Sequence, residues 1–368
     1  MVPRSSAVIP ARAAAGRGLR DLRPGIAIGC HPDFIPEGPG FVHPSLPVLL
    51  REFDIVVFNR FHWNALRPDR EAPFAWDPAD AAVAFAERHG LRLRGHALLW
   101  YQMLPSWVER EEAPARLETA IRDHVAAVVG RYRGRIASWD VVNEPLHLPD
   151  GRADGLREDP LTRRLGERWI DAAFEAAREA DPDAELVLNE ALLSHADQAP
   201  QRRAFRDLTA RLVGRGAPID GIGIQSHLFW DDLQPMGLLD PEGTAALVRE
   251  LGRMQLSAHL TELDVFDATL PRDPAQRDAA VAAAYSEYLV PLLACPELRS
   301  VVFWGMADPN SWYNTYVRRV LAERLPADHC ARPLLFDEHY APKPAYSAVA
   351  GALRAATIDA VALPRSTP

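Results

Sequence analysis

The sequence predicts an α/β protein folded as a single (β/α)8 TIM barrel, and three observations carry that prediction. Eight short β-branched runs alternate with longer amphipathic segments. No Gly/Ser-rich linker or internal repeat divides the chain. No GxGxxG follows an early strand, as the rival fold, a doubly wound open sheet, would favour. The 368 residues exceed the ~250 that such a barrel commonly needs, which leaves room for loop insertions.

The elements follow in order. Residues 1–22 carry arginines but no apolar run of signal-peptide length, and read as a flexible N-terminal segment. The barrel is expected over 23–356. GIAIG (25–29) and DIVVFN (54–59) are the first two strands. DPADAAVAFAERHG (77–90) opens on Asp and closes on Gly, as a capped helix should. LRLRGHALLW (91–100) and RIASWDVVNE (135–144) are strands three and four, separated by the helical pattern PARLETAIRDHVAAVVGRY. The helix LGERWIDAAFEAAREADPD (165–183) leads to ELVLNE (185–190), and IDGIGIQSH (219–227) and SAHLTELDV (257–265) follow. DPAQRDAAVAAAYSEYLVPLL (273–293) is a long helix before the last strand, RSVVFWGMAD (299–308). PAYSAVAGALRAA (344–356) closes the barrel, and 357–368 form a tail.

Composition narrows the function classes. The chain is 48% hydrophobic and 25% charged, ample for a core. Its net charge is -9 and no basic run interleaves with aromatics, which argues against nucleic acid. No stretch approaches the ~18 apolar residues of a membrane span, so a membrane is not an expected partner. The cysteines, Cys30, Cys295 and Cys330, are widely spaced without a CxxC pair, indicating neither a disulfide framework nor a zinc site. A cytoplasmic protein without metal or cofactor is expected; oligomeric state is not legible.

Chemistry concentrates where strands end. Strand three offers His96 and Trp100, strand four Asn143 and Glu144, strand six Gln225 and His227. Strand seven offers Glu262 and Asp264, and strand eight Trp304, with Trp312 in the loop after it. A lone histidine is ordinarily a hydrogen-bonded core residue, and a tryptophan at a strand end is ordinarily packing. Polar ends on several strands of one barrel differ, because the carboxyl ends share one rim. Two glutamates on strands four and seven suit glycoside hydrolysis, which needs a proton donor for the leaving oxygen and a second carboxylate at the anomeric carbon. Carboxyls ~5.5 Å apart at an effective dielectric of ~20 repel by roughly 3 kcal/mol, about two pKa units. Such a pair is expected to share one proton near neutrality.

On these residues the chain resembles the family 10 glycoside hydrolases, the endo-1,4-β-xylanase family of retaining (β/α)8 barrels. The resemblance rests on RGHALLWYQMLPSWV (94–108), WDVVNEPL (139–146), DGIGIQSHL (220–228), HLTELDV (259–265), VVFWGMADPNSW (301–312) and PLLFDEHYAPKPAY (333–346), in family order. It implies that Glu144 is the general acid/base and Glu262 the nucleophile. It further implies that Asn143 bonds the 2-hydroxyl at the scissile sugar, and that His227 and Asp264 orient and charge-tune the nucleophile. His96, Gln225, Trp100, Trp304 and Trp312 match the walls and floor around the cleaved sugar, and a carbohydrate or small glycoside is the expected partner.

The departures lie on strand two. The family's Glu-Asn-x-Met-Lys-Trp reads here Phe58-Asn59-Arg60-Phe61-His62-Trp63. Asn59 is kept, but two charged groups that bind glycone hydroxyls in the family have become Phe58 and His62. The sole lysine, Lys343, lies in the last loop. Two charge-assisted hydrogen bonds at ~1.5–3 kcal/mol each are worth roughly two to four powers of ten in binding. Tyr101 stands where the family tends to carry histidine, and its Asn-Asp pair after strand five reads Asn189-Glu190. The expectation is a retaining β-glycosidase acting on a β-linked oligosaccharide, or on a small glycoside with an apolar group near Phe58 and Phe61. The alternative is a biosynthetic eliminase, cyclase or transglycosylase using the same glutamates on a small metabolite. A metal-dependent isomerase lacks HxH or HExxH spacing, and a Schiff-base aldolase lacks a strand-end lysine. A non-catalytic sugar-binding protein has no need of both carboxylates.

Overall fold

The computed structural model describes residues 17–37, 41–228, 239–268, 270, 272–317 and 329–362, with side chains as far as residue 356. Residues 1–16 of the expected N-terminal segment and 363–368 of the expected tail lie outside the described residues. From residue 17 the chain packs: Leu19 is buried in a 3-10 turn and its N–H donates to Glu52 Oε2 at 2.8 Å.

Eight strands form the barrel: β1 (Ala27–Cys30), β2 (Ile55–Phe58), β3 (Arg92–Gly95), β4 (Ser138–Asn143), β5 (Glu185–Glu190), β6 (Gly221–Ile224), β7 (Ser257–Val265) and β8 (Leu298–Phe303). Each pairs in parallel with the next, and β8 returns to β1 with Ala27 opposite Ser300 and Cys30 opposite Phe303. Parallel neighbours need a crossover. Seven principal helices supply them: α1 (Leu46–Glu52), α2 (Asp77–His89), α3 (Pro114–Arg131), α4 (Arg168–Ala180), α5 (Ala199–Gly214), α6 (Pro241–Gly252) and α7 (Pro274–Leu293); an eighth, α8 (Pro344–Ala362), follows β8.

Local rules explain most boundaries. In α2, Ala79, Ala82, Val83, Phe85 and Ala86 are buried at helical spacing, and Gly90 ends the helix at φ +61. Fully burying a side chain such as Phe85 contributes about 1.5–3 kcal/mol. Asp77 is not the N-cap expected of it: Trp76 holds that position without a side-chain cap. Asp77 and Asp80 instead sit in the first turn, where carboxylates suit the helix dipole. In α7 the Asp273 side chain accepts from the Gln276 N–H, with Pro274 at the first helical position. The helix expected over 165–183 is broken, because Gly166 at φ +57 ends a short helix (Pro160–Leu165) before α4 begins.

Strands three and six also depart from expectation, and both breaks bear on the site. β3 stops at Gly95, and pairing with β4 resumes only at Leu99–Trp100, with Trp100 opposite Asn143. β6 stops at Ile224; Ser226 takes φ +62, and His227–Leu228 then pair with the end of β7, His227 opposite Asp264. Gly95 itself permits close packing, since a Cβ there would lie 2.1 Å from the Trp139 ring.

Candidate active site

β4 carries Asn143 and Glu144 to the rim. Glu144 adopts a left-handed backbone, φ +54, which costs a non-glycine residue roughly 1–2 kcal/mol. Two bonds hold it there: its N–H donates to the Asn189 carbonyl (3.0 Å), and Arg157 Nε donates to its own carbonyl (3.2 Å).

The side chains of β4, β5, β6 and β7 then form one hydrogen-bonded chain. Gln225 Nε2 donates to Glu144 Oε1 (2.9 Å) and to Asn143 Oδ1 (3.2 Å). Asn189 Nδ2 donates to the same Asn143 oxygen (2.9 Å) and to Glu262 Oε1 (2.9 Å). Thr261 Oγ1 donates to Asn189 Oδ1 (2.7 Å) and fixes that amide. The two glutamates are thus tied to one rigid frame but differ in surroundings. The Glu262 side chain is 6% exposed, whereas the Glu144 side chain keeps 15%.

His227 stands behind Glu262. Its Nε2 lies 3.4 Å from Glu262 Oε2, and its Nδ1 lies 2.8 Å from Asp264 Oδ1. Burial lowers the basicity of this imidazole, but Asp264 and Glu262 outweigh burial and raise it to about 10. His227 is therefore a cation at neutral pH, seated between the Glu262 and Asp264 carboxylates. Asp264, itself fully buried, also accepts from Trp312 Nε1 (2.8 Å) and the Tyr313 hydroxyl (3.0 Å).

Opposite, the ends of β8, β1, β2 and β3 build an aromatic and imidazole cage. Ring centroids separate His31 from Trp304 by 5.0 Å, Trp304 from His96 by 5.3 Å, His96 from His62 by 5.7 Å and His62 from Trp100 by 5.7 Å. His96 is oriented by Asp140, whose Oδ2 lies 2.9 Å from His96 Nδ1 and which Arg94 clasps with two donors. Burial pulls His96 down, yet Glu262 and Asp140 together raise it. Burial, reinforced by His96, Arg60 and His31, holds His62 at about 3, so this residue is neutral. His62 Nε2, Asn59 Oδ1 and Trp100 Nε1 are buried atoms with no hydrogen-bond partner among the described residues.

The model of glycosyl hydrolase family 10 matches residues 43–352. The chain belongs to this family. Endo-1,4-beta-xylanase 3 of Hypocrea jecorina is 32% identical over 297 residues, which is 80% of this chain and 74% of that protein. Beta-1,4-xylanase of Dictyoglomus thermophilum is 32% identical over 303 residues, 78% of each. The crystal structure of xylanase 10B from Thermotoga petrophila RKU-1 in complex with xylobiose matches with a TM-score of 0.80 at 27% identity, covering 94% of this chain and 99% of that one. This family 10 chain is a glycoside hydrolase of the xylanase type.

The expected site residues of this glycoside hydrolase all lie at one rim, but strand two needs correction. Phe58 and Phe61 do not form an apolar pocket for a substrate group. Phe58 is 2% exposed and packs on Phe34 (6.4 Å) and Phe85 (5.9 Å); Phe61 is fully buried against Tyr132 and Trp139. Strand alternation explains it: with Phe58 turned toward Phe85 of α2, its successor Asn59 is left for the rim. Lys343 is not near the cage either; it is buried between Asp308 (2.9 Å) and Asp278 (3.3 Å).

Four further residues join this rim: Asn189 and Glu190, which the sequence marked only as a variant of a family pair, and Arg157 and His31, which it did not mark. Asn189 ends β5 in the same apolar-then-polar pattern as Asn143-Glu144, a signal present in ELVLNE. Glu190 beside it is buried, and burial together with Glu144 pushes its carboxyl well above the usual range. Its oxygens accept from the N–H groups of Leu146 (3.0 Å) and Ala191 (2.8 Å), bracing the loop after Glu144. Arg157 stacks on Tyr101 at 3.8 Å and approaches Glu144 Oε2 to 3.9 Å. His31 joins the cage from β1. Neither Arg157 nor His31 stands in a local pattern that marks it.

Proposed function

We propose that the chain hydrolyses β-linked oligosaccharides or small glycosides with retention, by double displacement, through a glycone subsite unlike that of a xylanase. The observation that carries the reading is the unequal setting of two carboxylates on one hydrogen-bonded frame. Glu262, pinned by Asn189 and faced by cationic His227, suits the nucleophile that attacks the anomeric carbon. Glu144, held at one oxygen by Gln225 and part-exposed as a side chain, suits the acid that protonates the leaving oxygen. In the second step it takes a proton from the water that releases the sugar. Asn143, whose Oδ1 is fixed by Asn189 and Gln225, is assigned to the 2-hydroxyl of the cleaved sugar. The neutral His62 in place of a cation supports the altered glycone side.

An acid/base role of the same glutamates on a small metabolite, by elimination, cyclisation or transfer, draws support from that same change. Product analysis separates the two. Wild type is expected to release aryl leaving groups from β-xylosides or β-glucosides, with the first-formed sugar in the β configuration by NMR. Glu262→Gln is expected to lower turnover by about 10⁴-fold or more. Unchanged turnover in Glu262→Gln, or an α product, would sink the assignment. A cytoplasmic site of action belongs to the same proposal, to be checked by cell fractionation.

A further inference from the structure

The chain leaves β1 at His31, whose ring lines the cage against Trp304. Two residues on, Asp33 Oδ1 accepts from the backbone N–H groups of Met306 (3.2 Å) and Ala307 (3.5 Å), just past the end of β8. The next residue, Phe34, is 8% exposed and packs on Phe58 at the end of β2 and on Phe85 of α2 (5.3 Å). The segment 31–34 is thus strapped from β8 to β2 across the top of β1. Phe41 (4.8 Å) and His43 (5.0 Å) also pack on Phe34, and Tyr340 from the loop after β8 meets His43.

The direction of this wall relative to the chemistry is set by the two glutamates. A sugar attacked by Glu262 and protonated by Glu144 from β4 extends its non-reducing side away from β4, toward β8, β1 and β2. The strap crosses there. Phe58, buried behind it, holds the strap from below and presents no polar group there.

We propose that the glycone side of the cleft accepts a single sugar unit, with residues 31–34 as its end wall and Phe58 with Phe85 as the buttress. The inference rests on the glycosidase reading. It makes the enzyme one that removes terminal sugars or cleaves monosaccharide glycosides, with polymer binding confined to the leaving-group side.

The test compares 4-nitrophenyl β-xyloside and β-glucoside with 4-nitrophenyl β-xylobioside and β-cellobioside. The monosaccharide glycosides are expected to show kcat/KM at least about tenfold above their disaccharide counterparts. A preference for the disaccharide glycosides overturns the end wall and leaves the glycosidase reading standing. Failure to cleave either series, by an enzyme shown to be folded, overturns both. Phe34→Ala, or Phe58→Ala if the first does not fold, is expected to raise the disaccharide-to-monosaccharide ratio of kcat/KM by about tenfold. A folded variant with an unchanged ratio removes residues 31–34 as the determinant.

Discussion

The two halves of the cleft are built on opposite terms. On the β4–β7 side nearly every polar atom is matched: Glu262 has Asn189 and His227, and Asp264 has His227, Trp312 and Tyr313. On the β8–β3 side, Asn59 Oδ1, His62 Nε2 and Trp100 Nε1 are buried without partners among the described residues. A saturated network resists rearrangement, whereas a buried unmatched group costs about 1–3 kcal/mol until something bonds it. The Glu262 side is therefore preorganised by the protein itself, whereas the cage keeps polar atoms that no described residue bonds.

Breaking the saturated side should give the largest effects. Asn189→Ala severs the link between Asn143 and Glu262 and is expected to cost about 100-fold in kcat, with KM little changed, in steady-state assays on an aryl glycoside. Gly223→Ala probes the same link from outside. A Cβ there would lie 2.0 Å from Asn189 Oδ1, so the amide must move. The expected cost is about tenfold in kcat and about 1–3 kcal/mol in unfolding free energy from overpacking.

Titration sharpens the contrast with smaller effects. His227 has its pKa raised to about 10 against an ordinary 6.5, so its stabilising contribution is complete below pH 6.5 and lost as pH rises through about 10. Wild type should therefore lose thermal stability more steeply between pH 7 and 10 than His227→Gln does. In the cage the sign is opposite. His62 and His31 are lowered to about 3 and about 4, mainly by burial, so the unfolded chain takes up these protons first. Their effect is a loss of stability as pH falls from about 6.5 toward 4, and His62→Asn should flatten that decline in melting temperature.

Much of this molecule was legible before folding was considered. All eight strands and five of the eight principal helices stand in the sequence as alternating or helically spaced apolar runs. Glu144 and Glu262 were legible because each is a charge set in or directly after an apolar strand. Asn189 carried the same mark and was read only as a variant of a motif, because its importance lies in spanning from Asn143 to Glu262. The bonds at both ends of that span are long-range. Phe58 was misread because the motif shows a substitution but not the direction in which the ring points.

By itself the sequence determined the barrel, the order of its elements and the residue types at the rim, since period-2 and period-3.6 patterns act through neighbours in the chain. Only the tertiary structure decided which rim atoms are matched, which histidines are charged and where the ring of Phe58 points. Those properties follow from burial and from contacts between strands, and they come into being only when residues such as Phe34, Phe58 and Phe85 are brought together.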